Sequence, residues 1–141
     1  MKRLVLGIMV CCGLLATSVA AWCGDNGNGT VTVNGLVWLK DATCLGSMPW
    51  NDAMVRAKLL EHGQCGLTDN SKAGDWRLPN HNELETLEAK GRFTGLRPGN
   101  FWSSTTIRYI TYYVWNVGYG GYVGGGDRLG VYYVWPVRSV Q

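Results

Sequence analysis

The stretch Gly74-Asp75-Trp76-Arg77-Leu78-Pro79-Asn80-His81-Asn82-Glu83-Leu84 constrains the fold more than any other part of the chain. Pro79 disfavours helix at Leu78 and forces an extended approach. Asn80 then has the right chemistry to cap a helix, and Glu83, three residues on, can reach back to complete a capping box. Trp76-Arg77-Leu78 should therefore run extended directly into a helix. Apolar residues in such a segment are read as core, so Trp76 and Leu78 are expected inside, as is Trp102. Arg77 is expected to pair with a carboxylate such as Asp75.

The strongest local signal elsewhere is Asn34-Gly35, set between Thr30–Val33 and Leu36–Leu39. Both residues tolerate the positive φ of a tight hairpin turn, and the flanks are rich in β-branched and apolar residues. The preceding Asp25-Asn26-Gly27-Asn28-Gly29 fails as a calcium loop. Gly27 occupies its third position and Leu36 its twelfth, where a glutamate should stand, so a glycine-rich turn is expected. Trp50 to His62 reads as a first helix with Trp50, Ala53, Met54, Ala57 and Leu60 on one face and Gly63 ending it. Helix, polar loop, short second helix and then strands make an α+β pattern: two short helices packed on small antiparallel sheets.

Residues 1–21 read as a secretory signal peptide: Lys2 and Arg3, an apolar run from Leu4 to Leu15, then small residues to Ala21. That run is too short for a membrane span. Residues 22–141 then form a single domain, with no span after cleavage, in a secreted, periplasmic or cell-surface setting. The formal charge of +3 falls to about +1 without Lys2 and Arg3. From Trp22 to Lys90 there are six Lys/Arg against nine Asp/Glu, whereas Gly91 to Gln141 holds five Arg against Asp127 alone. This local basic bias suits an anionic ligand but lacks the dense stripe of a nucleic-acid binder. Three cysteines remain after processing, and Cys44 and Cys65 flank the first helix, so a bridge between them is expected. Without Cys-x-x-Cys, and with His62 and His81 far apart in sequence, a zinc site is not supported.

Composition changes after Phe101. All seven tyrosines lie between Tyr109 and Tyr133, and seven glycines between Gly118 and Gly130. Tyr112–Val117 and Tyr132–Val137 read as strands, the second irregular at Pro136, which has no N–H to donate. Gly118–Gly130 reads as a flexible hairpin or loop. It is not a nucleotide loop, because Val123 and Leu129 replace the third glycine of Gly-x-Gly-x-x-Gly. Ser103 and Ser104 lack a nucleophile elbow, and no enzyme activity or cofactor is expected. Tyrosine supplies amphipathic contact at low entropy cost, glycine adaptability, and arginine a fork for sulfate or carboxylate. The expected ligand face comprises Arg108, Tyr109, Tyr112, Tyr119, Tyr122, Asp127, Arg128 and Tyr132.

Several motifs occur in one order along the chain: Asp25 to Thr32, Gly35-Leu36-Val37-Trp38, Gln64-Cys65-Gly66-Leu67, Asp75-Trp76-Arg77-Leu78-Pro79 with Asn82-Glu83-Leu84, Phe101-Trp102-Ser103-Ser104-Thr105-Thr106, and Tyr133-Val134-Trp135-Pro136-Val137-Arg138. In that order they resemble the Lcl C-terminal domain family of bacterial surface and secreted proteins. The resemblance implies a C-type-lectin-like fold used for binding, with a glycan or other cell-surface ligand and a role in adhesion. The family's named member is the adhesive end of a collagen-like protein that attaches to sulfated polysaccharides; this chain has no Gly-x-y repeat. The alternative is an assembly domain whose aromatic face is buried in a homo-oligomer such as a trimer.

Overall fold

The computed structural model describes residues 24–87, 91–106, 113–118 and 122–141, and for 113–118, 122 and 123 the backbone. In chain order the elements are β1 (Gly24–Asp25), β2 (Thr30–Val33), β3 (Leu36–Leu39), β4 (Ser47–Met48), α1 (Trp50–Lys58), α2 (His81–Glu85), β5 (Asn100–Thr106), β6 (Tyr113–Gly118), β7 (Tyr122–Asp127), β8 (Tyr132–Tyr133) and β9 (Val137–Ser139). The result is α+β, with two helices and two small sheets. One sheet runs β1-β2-β3-β9 and the other β4-β8-β5-β6-β7. Every strand pair is antiparallel except β5 with β8.

The β2–β3 hairpin forms as expected. Asn34 and Gly35 both take positive φ, 52° and 75°, the mirror-image turn that matches strand twist. Before it, Asp25–Gly29 is a turn closed by its own side chains. Asn28 Oδ1 accepts from Thr30 N and Oγ1, Gly27 N donates to Asp25, and Lys40 pairs with Asp25. This turn packs on the loop that follows α1: a Cβ on Gly29 would sit 2.5 Å from the Gly66 carbonyl oxygen. The Cys44–Cys65 disulfide, with a Cα–Cα distance of 5.8 Å, anchors that loop to the segment before β4.

α1 is shorter than the sequence implies. It ends at Lys58 with Leu59 as its C-cap, so Gly63, at φ 89°, belongs to the next turn and does not end the helix. Ala53, Ala57 and Leu60 are buried as expected, but Met54 is 37 % exposed. The second helix follows expectation closely. Asn80 accepts from Glu83 N while Glu83 Oε2 accepts from Asn80 N, completing the capping box. Trp76, Leu78 and Trp102 are each no more than 1 % exposed.

Arg77 does not pair with Asp75. Asp75 accepts from Lys72 N, and Arg77 forks onto both oxygens of Glu83 at 2.8 and 2.9 Å. Burial pushes the Glu83 carboxyl up, but the Arg77 fork and the Asn80 N–H outweigh it, leaving the group below the usual range.

The two sheets are joined through Val134-Trp135-Pro136. Tyr132–Val137 is not one strand: β8 belongs to one sheet and β9 to the other. Between them Trp135 forms the centre of the core, with ring centroids 5.4 Å from Trp38, 4.7 Å from Phe93 and 5.4 Å from Phe101. Its Nε1 donates to Leu39 O at 2.8 Å. Pro136 cannot donate, but its carbonyl accepts from Leu39 N, which is where the strand breaks.

The glycine-rich stretch is also not a loop throughout. Residues 122–127 form β7, in register with β6 from Tyr113↔Asp127 to Gly118↔Tyr122.

Candidate functional site

The glycines of β7 and its following turn make room for one aromatic ring. A Cβ on Gly126 would lie 2.8 Å from Tyr132 Cε2, and one on Gly130 would lie 2.9 Å from the same atom. Tyr132 fills that space and meets Trp102 edge-on, with centroids 4.5 Å apart, a geometry favoured by the ring quadrupoles. Trp102 is locked in turn, its Nε1 donating to Met48 O at 2.7 Å.

The turn that follows β7 closes through Gly130 N to Asp127 O, with Leu129 N donating to Asp127 Oδ1 at 3.0 Å. Its second residue, Arg128, is fixed from two sides. The Arg128 carbonyl accepts from Trp50 N, the first residue of α1, and the guanidinium carbon lies 4.5 Å over the Trp50 ring. Trp50 is itself pinned, its Nε1 donating to Ser103 O at 2.9 Å. A cation held over an indole face gains electrostatic attraction and loses side-chain freedom before any ligand arrives. The Arg128 Nε is buried and has no acceptor among the described residues. Beside this stack Leu129 and Val131 are 83 % and 57 % exposed.

Of the residues expected from sequence, Asp127 and Arg128 therefore lie on one turn, and the Tyr132 ring of β8 packs beneath it. Asp127 is exposed and shapes the turn, Arg128 is half-buried, and Tyr132 is half-buried as a pillar under the glycines. Tyr122 stands on β7 opposite Gly118. Arg108, Tyr109, Tyr112 and Tyr119 lie outside the described residues. Trp50 was read from sequence only as a core-facing helix residue. Its position directly after Pro49, at a helix start, is the one signal for an exposed-edge role, and it is a weak one.

Among the described residues no three His, Cys, Asp or Glu side chains gather as metal ligands would. The Lcl C-terminal domain family model matches residues 29–138. No curated protein matches the chain.

Proposed function

Because the chain belongs to the Lcl C-terminal domain family, we propose that it is a secreted or surface-exposed, non-catalytic binding module of C-type-lectin-like fold. Its ligand is an acidic glycan, sulfated or carboxylated, and its role is adhesion. The observation that carries this reading is the Arg128 guanidinium, held 4.5 Å over Trp50 and only half-buried. A planar fork already stacked in place, and still partly exposed, is matched by the oxygens of a sulfate or uronate group. Tyr132 and the exposed Leu129 and Val131 supply apolar surface for the sugar C–H faces beside the charge.

No helix among the described residues is long and apolar enough to cross a membrane. A second reading has its own support: Val55 on α1 and Leu59 at its C-cap are 58 % and 52 % exposed, and with Leu129 and Val131 they offer apolar surface to a second copy of the chain. Titration with a sulfated oligosaccharide and its desulfated counterpart, with the mass measured by light scattering, tests both. Sulfate-dependent binding by a monomer supports the glycan reading. A stable oligomer with no binding of either sugar overturns it in favour of assembly.

A further inference from the structure

An asparagine followed by glycine can modify itself. The glycine backbone nitrogen attacks the asparagine Cγ, and no Cβ on the glycine obstructs the approach. The N–Cγ bond forms, the Cγ–Nδ2 bond breaks, and ammonia leaves with the glycine amide proton. Water then opens the cyclic imide on one side to give aspartate, or on the other to give isoaspartate, in which the chain runs through Cγ. Such pairs stand at Asn26-Gly27, Asn28-Gly29 and Asn34-Gly35, and the fold treats them differently.

Ring closure needs a side chain free to turn onto the next peptide and a peptide free to rotate. At Asn26 neither condition holds. Its Nδ2 donates to Thr30 Oγ1 at 2.8 Å and to Thr32 Oγ1 at 2.9 Å, and the attacking Gly27 N is itself spent on Asp25 Oδ1. At Asn28 the side-chain oxygen accepts from Thr30 N and Oγ1. The peptide that follows is pinned from both sides, Asn28 O accepting from Thr68 N and Gly29 O from Lys40 N. Gly29 is also wedged against Gly66. Asn34-Gly35 is held far more loosely. Both residues are exposed at the hairpin tip, and a Cβ on Gly35 would meet nothing within 4 Å. Among the described residues the Asn34 side chain makes one hydrogen bond, Nδ2 to Thr86 O at 3.3 Å, a long and therefore weak one.

That bond is also the one the reaction removes. It ties the tip of the β2–β3 hairpin to Thr86, the C-cap of α2. A carboxylate cannot donate, so at position 34 it would set oxygen against the Thr86 carbonyl oxygen, a repulsive contact. Isoaspartate would also lengthen a two-residue turn whose positive φ values match the β2–β3 register.

We propose that Asn34 is a self-modification site: in the folded protein it deamidates through Gly35 while Asn26 and Asn28 are protected, and the product releases the hairpin from α2. Water is the co-reactant. The change runs one way with the age of the molecule, and it does not depend on what binds at Arg128.

The test is ageing of the intact folded protein at mildly alkaline pH, beside the same chain held in denaturant, with fragment-ion sequencing across the three pairs. The unfolded chain should convert at all of them. The folded protein should convert at Asn34 at least about tenfold faster than at Asn26 or Asn28, which have more neutral hydrogen bonds to break. Comparable folded-state rates at the three positions, or an Asn34 as inert as the other two, overturn the site. Asn34→Asp, which makes the aspartate product directly, should speed amide hydrogen exchange in α2. An α2 protected equally in Asn34→Asp and wild type overturns the release of the hairpin.

Discussion

The Arg138 guanidinium sits 5.3 Å from the centre of the Trp76 ring while its Nη2 donates to Asp69 at 3.1 Å. Backbone bonds close the same junction, since Arg77 and Val137 exchange N–H···O bonds at 3.0 and 2.9 Å. The last strand is thereby clamped to the extended segment that enters α2. The loop after the disulfide supplies the carboxylate. Two neighbouring stretches, at Asp69 and at Trp76, thus meet a cation that lies 69 residues beyond Asp69 in sequence.

The Asp69 side chain is sealed from solvent and that of Arg138 is 10 % exposed. Removing one member of such a pair leaves the other charge buried, so Asp69→Asn should cost about 3–5 kcal/mol in denaturant unfolding at neutral pH. Burial pushes the Asp69 carboxyl up, but the Ser71 hydrogen bonds and Arg138 outweigh it, and the group lies below its ordinary 3.8. A depressed carboxyl stabilises the fold fully above its unfolded value and loses that contribution as pH falls through the folded one. The gap between wild type and Asp69→Asn should therefore be constant above about pH 5 and narrow below about pH 4. A gap that stays constant into acid would show that Asp69 is not held as the carboxylate.

Trp76 is 1 % exposed, and its Nε1 has no hydrogen-bond acceptor among the described residues. Trp76→Ala should cost about 3–5 kcal/mol through the cavity it leaves. Trp76→Phe should cost distinctly less, because it keeps a ring beneath Arg138 and removes a donor with no acceptor among the described residues. Equal losses in chemical denaturation would mean that the indole N–H matters more than the packing.

Features decided within a few residues of sequence could be read directly. The Asn80–Glu83 capping box and the Asn34-Gly35 turn need no tertiary partner to specify them, and both are present. The Cys44–Cys65 bridge was legible because its cysteines flank one helix. Choices between distant partners were not legible. Asp75 lies beside Arg77 in sequence but is held by Lys72 N, while Glu83 is delivered to Arg77 by the helix that Pro79 and Asn80 start. The sequence left Gly118–Gly130 open between hairpin and loop because Gly124-Gly125-Gly126 has poor strand propensity; pairing of β7 with β6 and the Tyr132 ring over Gly126 override that preference in favour of the hairpin. Trp50 was missed as a site residue for the same reason: only the turn after β7 brings a cation to its face.

The disulfide joins residues 21 apart and holds the loop on which Gly29 packs. Replacing Cys44 and Cys65 by Ala should lower stability by about 3 kcal/mol, the loop-closure entropy returned to the unfolded chain. Cys65 also holds a positive φ of 49°, which Ala tolerates poorly. Cys44→Ala/Cys65→Gly should therefore recover part of the loss. If the glycine version is no better than the alanine one, φ strain at position 65 plays no part in the cost.

Arg128 separates a binding role from a structural one. Its guanidinium is half-buried and stacked on Trp50, so losing the stack should cost the fold only about 0.5–1 kcal/mol. A charge-assisted fork onto a sulfate is worth more, about 1.5–3 kcal/mol, or roughly ten- to a hundredfold in affinity. Arg128→Lys keeps the charge but loses the planar fork. It should therefore bind a sulfated oligosaccharide that much more weakly, with a nearly unchanged melting temperature. Trp50→Leu keeps Arg128 but removes the surface that orients it, and should weaken binding by a smaller factor through restored side-chain freedom. Binding by wild type should also weaken with added salt, since an exposed charge contact is screened beyond about 10 Å at 0.1 M. Calorimetric titration of the three proteins at two salt concentrations gives the answer. Undiminished affinity in Arg128→Lys, or a loss of binding that merely tracks a fall in melting temperature, would place the ligand elsewhere.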